Sequence, residues 1–136
     1  MFKILVVAIT LYGWADNTPP GPSLEYPIIH QTAGGAGTFQ DPISFAAEPK
    51  QFKPGTKIYV PRLRKYFIME DWCESAHRKY TKKKGLPLID LWIGGTEKSN
   101  RAELLEAEND LSQTPDVIYV NPPDNLEVDN DKLFGE

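Results

Sequence analysis

Short apolar runs with a period of two dominate the chain and predict a β protein. Residues 7–12 alternate Val, Ile and Leu with smaller or more polar side chains, which is typical of a half-buried strand. Turns rich in proline and glycine punctuate the chain. Five further runs have the length and composition of strands: residues 41–47, 57–60, 64–71, 86–93 and 115–123. This order predicts a small mixed β-barrel.

The N-terminal residues allow a second interpretation. Residues 1–15 contain a lysine, an apolar stretch and then Ala15, which loosely resembles a secretory signal. The apolar stretch is too short to cross a bilayer. We favour a first strand, because its alternating pattern matches that of the later strands.

One helix is predicted, over residues 99–111. Ser99 or Asn100 can cap its N-terminus, and the glutamate three positions after Asn100 fits a capping box. The apolar side of this helix is predicted to consist of Ala102, Leu105 and Leu111. Residues 73–84 lack an apolar stripe, so they form either an exposed loop or a short helix.

The segment AGGAGT, residues 33–38, is rich in glycine but does not match a phosphate-binding loop. It neither follows a clear strand into a helix nor carries the lysine that such a loop needs. We expect instead a bend at which two backbone segments approach closely.

The composition fits one folded domain, because 40% of the 136 residues are hydrophobic and 11% are aromatic. We assign residues 1–123 to the barrel and residues 124–136 to an acidic C-terminal tail. Residues 1–96 carry a net charge of +4 and residues 97–136 one of −8. Phosphate binding needs a continuous basic face, so this distribution argues against nucleic acid as the main partner.

The sequence offers no recognisable metal site. Cys73 is the single cysteine, so it forms no intrachain disulfide, and no spacing of cysteine and histidine suggests zinc. The two histidines, His30 and His77, are isolated in the sequence. We therefore expect no metal and no cofactor.

Two acidic residues stand inside or at the end of apolar runs. Asp90 lies within LIDLWIGG (88–95), and Asp71 ends the run YFIMED. Two carboxylates in one groove would differ in acidity, so one could remain protonated near neutral pH and act as an acid. The alternative is that each accepts backbone hydrogen bonds and fixes a tight crossover, which compensates for its burial.

Several spaced motifs resemble the three-aspartate ("3D") domain of the double-psi β-barrel superfamily, which includes lytic transglycosylases, RlpA-like proteins, expansins, barwins and family 45 endoglucanases. These motifs are Glu48-Pro49, Pro54-Gly55-Thr56, Asp71 and Ile89-Asp90-Leu91. Residues 10–13 and 34–39 are similar to the opening strand and glycine turn of expansins, and small secreted fungal members look most similar. The resemblance covers residues 8–122. It implies a mainly β fold, a six-stranded double-psi β-barrel with one or two short helices.

The resemblance also assigns roles to individual acids. Asp90 matches the aspartate that serves as acid and base in lytic transglycosylases, and Asp71 matches its neighbour in the groove. Glu48 stands where that family has its first aspartate, and Asp41 is an alternative for this position. Fungal relatives would carry a second cysteine near Ala76, and its absence leaves a cytoplasmic location open beside the secreted one.

Aromatic side chains near these motifs are candidates for sugar binding. Tyr12, Trp14 and Trp72 could stack on the C–H faces of sugar rings, and His30 could line the same groove. For Tyr12 the alternative is a place in the barrel core or at its rim, and for His30 it is a structural hydrogen bond.

The resemblance implies a secreted, monomeric protein that acts on cell-wall polysaccharide, with peptidoglycan ahead of β-glucan as substrate and no attachment to a membrane. The superfamily mixes enzymes with non-catalytic wall binders, so an expansin-like carbohydrate-binding module is an alternative. A further alternative is a secreted effector or interaction protein that uses the acidic tail.

Overall fold

The computed structural model describes residues 2–17 and 19–135. Six strands and two α-helices follow one another along this part of the chain: β1 (Lys3–Gly13), β2 (Ile43–Ala47), β3 (Lys57–Val60), β4 (Lys65–Trp72), α1 (Glu74–Lys82), β5 (Leu88–Gly94), α2 (Arg101–Leu111) and β6 (Gln113–Val120). A 3-10 turn, Trp14–Asp16, directly follows β1. Each predicted strand is present at its predicted place, with ends that differ by a few residues.

The strands close into a barrel in the order β1-β5-β2-β4-β3-β6. β1 runs parallel to β5, and β2 runs parallel to β4, whereas the other neighbouring strands are antiparallel. The predicted fold class is thereby confirmed as a mainly β, closed six-stranded mixed barrel with two short helices. This arrangement is consistent with the double-psi topology that the resemblance implies.

Alternate strand positions point inward and form the core of the barrel. The fully buried side chains at these positions are Val7, Ile9, Phe45, Ile58, Phe67, Met69, Ile89, Leu91 and Ile118. Burying a branched aliphatic or aromatic side chain of this size stabilises a fold by about 1.5–3 kcal/mol. The positions between them point outward, and Asp90, between Ile89 and Leu91, is one of these.

A β-bulge places the acids of β4 on this outer face. The register between β2 and β4 shifts by one residue before Ala46, which pairs with Asp71, so that Glu70 is the extra residue of β4. On its other side Ala46 pairs with Asp90 of β5. Asp71 and Asp90 therefore lie on the same face of three adjacent strands, with Ala46 between them.

The predicted cap of α2 is confirmed, but its predicted apolar face is right only at Leu111, which is partly buried against the core. The Asn100 side chain accepts a hydrogen bond from a backbone N–H of the first turn at 3.0 Å. Leu104 and Glu108 are the buried residues of α2, whereas Ala102 is exposed and Leu105 is 51% exposed. Residues four apart lie on one face, so the face of α2 that packs on β1 includes an acid. Apolar spacing alone does not predict this face, because one of its two buried residues is a glutamate.

Residues 73–84 contain α1, so the helical alternative is the correct one for this stretch. The buried residue of α1 is Ala76, and most of its other side chains are exposed or half-buried. No helix within residues 2–17 and 19–135 combines the length and apolar character that crossing a membrane requires.

The glycine-rich segment forms the predicted close approach of two backbone segments. Gly35 has a φ of +122°, and a Cβ atom there would lie 2.2 Å from the carbonyl oxygen of Pro42. Gly37, with a φ of +96°, lies against the side chain of Lys65. Other residues would be strained at both positions, so this bend requires glycine.

The acidic C-terminal segment lies along β3 and β4. The Tyr59 hydroxyl donates a hydrogen bond to the carbonyl oxygen of Glu127 at 2.5 Å. Arg64 forms ion pairs with the carboxylates of Glu127 and Asp129 at 3.3 and 3.2 Å. The backbone N–H of Asp129 also donates to the carbonyl oxygen of Arg64 at 2.9 Å. These contacts attach the segment to the barrel wall.

Candidate functional site

The last three residues of β4, Glu70, Asp71 and Trp72, each belong to a separate group of side-chain contacts. Six of the eight predicted site residues occur in these groups: Asp41, His30, Asp71, Tyr12, Trp72 and Glu48. Asp90 lies beside the Asp71 group, since Ala46 pairs with both acids and Asp90 Oδ2 lies 4.0 Å from Cys73 Sγ. Trp14 belongs to none of the three groups. Side-chain contacts thus join six of the predicted residues into three small groups.

Glu70 is fully buried and forms the centre of the first group. Its Oε2 accepts hydrogen bonds from the backbone N–H groups of residues 28, 29 and 30 at 3.1, 2.9 and 3.0 Å. Its Oε1 lies 2.6 Å from His30 Nδ1 and accepts a hydrogen bond from the Ser44 hydroxyl at 2.8 Å. Burial alone would raise the pKa of Glu70, but these donors hold it below its ordinary value.

His30 connects Glu70 to Asp41, whose Oδ1 lies 2.7 Å from His30 Nε2. Burial lowers the pKa of His30, yet the two carboxylates outweigh it and leave that pKa raised. A ring with a carboxylate at each nitrogen donates from both, so it carries a positive charge. Asp41 is the open end of this chain of contacts, since 52% of its side chain is exposed. His30 has the structural hydrogen bonds that the sequence analysis offered as its alternative role.

Asp71 is the centre of the second group. Its carboxylate accepts hydrogen bonds from the Tyr12 hydroxyl at 2.8 Å, from the Glu25 N–H at 3.0 Å and from its own neighbour, the Trp72 N–H, at 3.0 Å. Burial raises the pKa of Asp71, and the three donors act against that rise. The Glu25 N–H ties the connection between β1 and β2 to Asp71 at the end of β4, which is the crossover role considered for this acid.

Tyr12 is only 6% exposed, so its ring is not available as a platform for a sugar. It packs edge to face with Trp92, the two ring centroids lying 5.3 Å apart. Burial first, and then the charge of Asp71, raise the pKa of Tyr12, so its hydroxyl remains a donor. Of the two roles considered for Tyr12, the buried one matches the structure.

Trp72 is the open residue of the third group, with 41% of its surface exposed. Its ring centroid lies 5.6 Å from that of His77, and His77 Nδ1 lies 2.7 Å from Glu48 Oε2. Glu48 itself is buried, so it supports His77 from beneath and does not face a ligand. Trp14 is half-buried and packs near Gly95, which directly follows the C-terminal end of β5.

Asp90 has fewer donors than the acids of β4. Its Oδ1 accepts one hydrogen bond, from the Thr10 hydroxyl of β1 at 2.9 Å, and its Oδ2 lies 4.0 Å from Cys73 Sγ. Burial, followed by the charges of Asp16 and Asp71, raises the pKa of Asp90 to about 7. The residue is nevertheless partly exposed. Asp90 can therefore give up and take back a proton near neutral pH.

Two acids near Asp90 were not identified from the sequence. Burial, followed by a hydrogen bond with Asp16, raises the pKa of Glu108 to about 9, so Glu108 holds a proton that it shares with Asp16. Asp16 also accepts a hydrogen bond from the Gly13 N–H at 2.7 Å. Glu108 lies one turn after Leu104 on α2, so the two residues share a face of the helix. This spacing identifies Glu108 as buried only when Leu104 is already known to face the barrel.

Cys73 does not have the properties of a nucleophile. It is a free, buried thiol, and burial followed by the charge of Asp90 raises the pKa of Cys73 to about 11. Across the described part of the chain, no group of three or more His, Cys, Asp and Glu side chains is placed to hold a metal ion.

A cavity at one end of the barrel has neither Asp71 nor Asp90 among its lining residues. It has a volume of about 520 Å³ and is bordered by Trp92, by the glycines near residues 34–35 and 94–95, and by residues 130–134. Neither Asp71 nor Asp90 lines this cavity or the smaller one beside α1. A ligand that reaches Asp90 would therefore lie on the outer surface of the barrel.

The sequence profile of the DDB_G0273701 N-terminal domain family matches residues 4–136. A curated relative from Dictyostelium discoideum, "Uncharacterized protein DDB_G0273701/DDB_G0273221", is 36% identical over 127 residues. That alignment covers 93% of this chain and 55% of the relative, so the chain spans about half the length of the relative. No solved structure matches the chain.

Proposed function

The chain belongs to the DDB_G0273701 N-terminal domain family, and we propose that it cleaves glycosidic bonds in a cell-wall polysaccharide, with Asp90 as acid and base. The observation that supports this most is a partly exposed carboxyl group with a pKa of about 7 on the outer face of the barrel. Cleavage of a glycosidic bond needs such a group beside the bridging oxygen. The proposal includes a secreted, monomeric protein, with peptidoglycan ahead of β-glucan as substrate.

In the proposed reaction Asp90 moves one proton twice. The protonated carboxyl group donates its proton to the bridging oxygen as the bond between that oxygen and C1 breaks. The carboxylate then accepts the proton of the C6 hydroxyl, whose oxygen bonds to C1 and closes an anhydro sugar. Water takes no part, and Asp90 ends the cycle as it began, in its protonated form.

Asp71 is a positioning residue in this proposal and not a second catalytic acid. Its oxygens are occupied by the Tyr12 hydroxyl and two backbone N–H groups, so it has little capacity to exchange a proton with a ligand. Its negative charge helps to raise the pKa of Asp90. Asp71 therefore contributes by keeping Asp90 protonated near neutral pH.

The test compares the parent protein with Asp90→Asn and with Asp110→Asn, which removes an exposed aspartate of α2. Purified peptidoglycan is digested and the products are examined by mass spectrometry for anhydro-sugar ends. We expect Asp90→Asn to lower turnover by at least about 100-fold, the usual contribution of a general acid, and Asp110→Asn to leave it unchanged. A parent protein that releases no products from peptidoglycan or β-glucan, or an Asp90→Asn variant with full turnover, contradicts the proposal.

A non-catalytic carbohydrate-binding module is the second candidate, and the exposure of Trp72 beside His77 favours it. An open indole ring can stack on a sugar without any acid. In a pull-down on insoluble glycan, this candidate expects Asp90→Asn to bind like the parent while Trp72→Ala fails to bind. Phe2→Ala is the matched control, because Phe2, just before β1, is a similarly exposed aromatic residue.

A further inference from the structure

A second, smaller cavity lies where α1 ends and the chain turns toward β5. Its volume is about 270 Å³, and its lining residues are Gln51, Lys79, Tyr80, Lys83, Lys84, Gly85, Leu86 and Pro87. Two segments that are distant in the sequence form it, since Gln51 belongs to the turn after β2. It is separate from the residues assigned to glycan cleavage, because Asp90 and Asp71 are not among its lining residues.

The charge around this cavity is entirely positive. Residues 75–89 contain five Lys or Arg residues and no Asp or Glu. Lys79, Lys83 and Lys84 line the cavity. From the other segment, the Lys50 ammonium lies 6.0 Å from the centroid of the Tyr80 ring. Three lysines thus line a concave surface that also carries an aromatic ring and the side-chain amide of Gln51, and the Lys50 ammonium lies near that ring.

Among the described residues of this part of the molecule, the arginine has a carboxylate partner, whereas the four lysines do not. Arg78 of α1 forms an ion pair with Glu74 at 3.0 Å. None of the four lysines has a carboxylate oxygen within 4.0 Å among the residues that the structure describes. Like charges that line one cavity repel one another, and a bound anion would offset that repulsion.

The helix dipole alone does not explain this set of lysines. Cations are favoured at the C-terminus of a helix, which accounts for Lys79 in the last turn of α1. Lys83, however, lies beyond that end in a left-handed conformation, and its N–H and that of Lys84 already occupy the last carbonyl groups of the helix. Lys50 comes from a different segment altogether, and it approaches α1 through its contact with the Tyr80 ring.

We propose that this cavity binds a multiply charged oxyanion, a phosphate or sulfate group carried by a small solute. Lys79, Lys83 and Lys84 would supply the positive charge and the donors, and the Gln51 amide would add a neutral donor. The ammonium of Lys79 is already directed along Gly85, because a Cβ atom at Gly85 would lie 3.6 Å from Lys79 Nζ. This binding does not depend on the chemistry proposed for Asp90.

The test measures binding of inorganic tripolyphosphate by isothermal titration calorimetry at low and at high salt. The cavity variant is Lys79→Gln with Lys83→Gln, which keeps most of each aliphatic stem and adds no backbone strain at position 83 beyond that of the parent. Its charge-matched control is Lys3→Gln with Lys98→Gln, two exposed lysines far from the cavity in the sequence. Circular dichroism establishes that all three proteins are folded.

We expect the parent to bind tripolyphosphate, more weakly as salt increases. The cavity variant should bind at least about tenfold more weakly, because each lost ammonium removes a charge-assisted hydrogen bond, while the control keeps the parent affinity. Inorganic sulfate should compete with tripolyphosphate. The inference is overturned by a parent that does not bind, by an equal loss in the control, or by binding to phosphatidylserine vesicles without any binding to tripolyphosphate.

Discussion

Two acids that look alike in the sequence, Glu70 and Asp90, have opposite environments in the fold. Each lies in or at the end of an apolar run on the outer face of the barrel. Glu70 accepts three backbone N–H groups and the Ser44 hydroxyl and faces a charged His30. Asp90 accepts one hydroxyl. The pKa of Glu70 is accordingly lowered, whereas that of Asp90 is raised to about 7.

The difference indicates that burial and the number of donors together decide what a buried acid can do: burial raises the pKa of Asp90, whereas the donors of Glu70 outweigh the effect of burial. A carboxylate whose oxygens are fully used by donors is stable as an anion and holds other segments in place. One with a single donor is cheaper to bury in its protonated form, which leaves its proton available for transfer. Glu70 belongs to the first kind and Asp90 to the second.

The largest effect on stability is expected from Glu70→Ala, which removes the carboxylate with the larger number of hydrogen bonds. It leaves three backbone N–H groups and a charged His30 without their acceptor, so the free energy of unfolding should fall by about 3–5 kcal/mol. Urea denaturation of the parent and the variant measures this loss.

Glu74→Ala is the matched control for that experiment. Glu74 is exposed and pairs with Arg78 within α1, so its removal should change the free energy of unfolding by less than about 0.5 kcal/mol. Equal losses in the two variants would contradict the role assigned to Glu70.

The strands and the cap of α2 follow from the sequence because local pattern determines them. Alternating apolar residues give the strands, and the Asn100 cap depends on residues three positions apart. The partners of Glu70 could not be predicted in this way, since they depend on a bulge in β4 and on a loop 40 residues earlier. A register shift of this kind leaves no clear mark in the sequence.

The environment of Asp90 was predictable only in part. Its isolation within LIDLWIGG indicated an acid that needs an explanation, and in the structure its partners are one hydroxyl and, at 4.0 Å, the Cys73 thiol. The charges that raise its pKa come from Asp16 and Asp71, which reach it through the closure of the barrel. Glu108, whose proton is shared with Asp16, depends in turn on which face of α2 packs on β1. These are tertiary contacts, and no spacing rule contains them.

The next largest effect on stability is expected from Asp90→Asn, which should become more stable relative to the parent as the pH rises, whereas Glu70→Ala loses stability. The pKa of Asp90 is about 7 in the folded protein, compared with roughly 3.9 for an unfolded aspartate. The contribution of this group to stability is therefore complete below about pH 4 and is lost as the pH rises through 7. The variant lacks this titration, so its stability relative to the parent should rise between these limits by on the order of 2–4 kcal/mol.

Thermal and urea unfolding of both proteins from pH 4 to pH 8 would measure that difference, and subtracting the two curves removes the contribution of groups such as His30 that do not interact with Asp90. Asp110→Asn should show no such trend, because Asp110 is exposed. A flat difference between Asp90→Asn and the parent would mean that Asp90 is ionised throughout. It would then resemble Glu70, and the contrast between the two acids would disappear.

The smallest effect is expected from Tyr12→Phe, which tests the intermediate case of Asp71. This acid has three donors and yet a raised pKa, so removing its one hydroxyl donor should raise that pKa further and lower the free energy of unfolding by about 1–2 kcal/mol. Tyr119→Phe on β6 is the control, since no hydroxyl partner of Tyr119 is found in the described ranges. If the free energy of unfolding falls as much as in Glu70→Ala, Asp71 resembles Glu70, an acid that holds other segments in place. If it does not fall, Asp71 resembles Asp90.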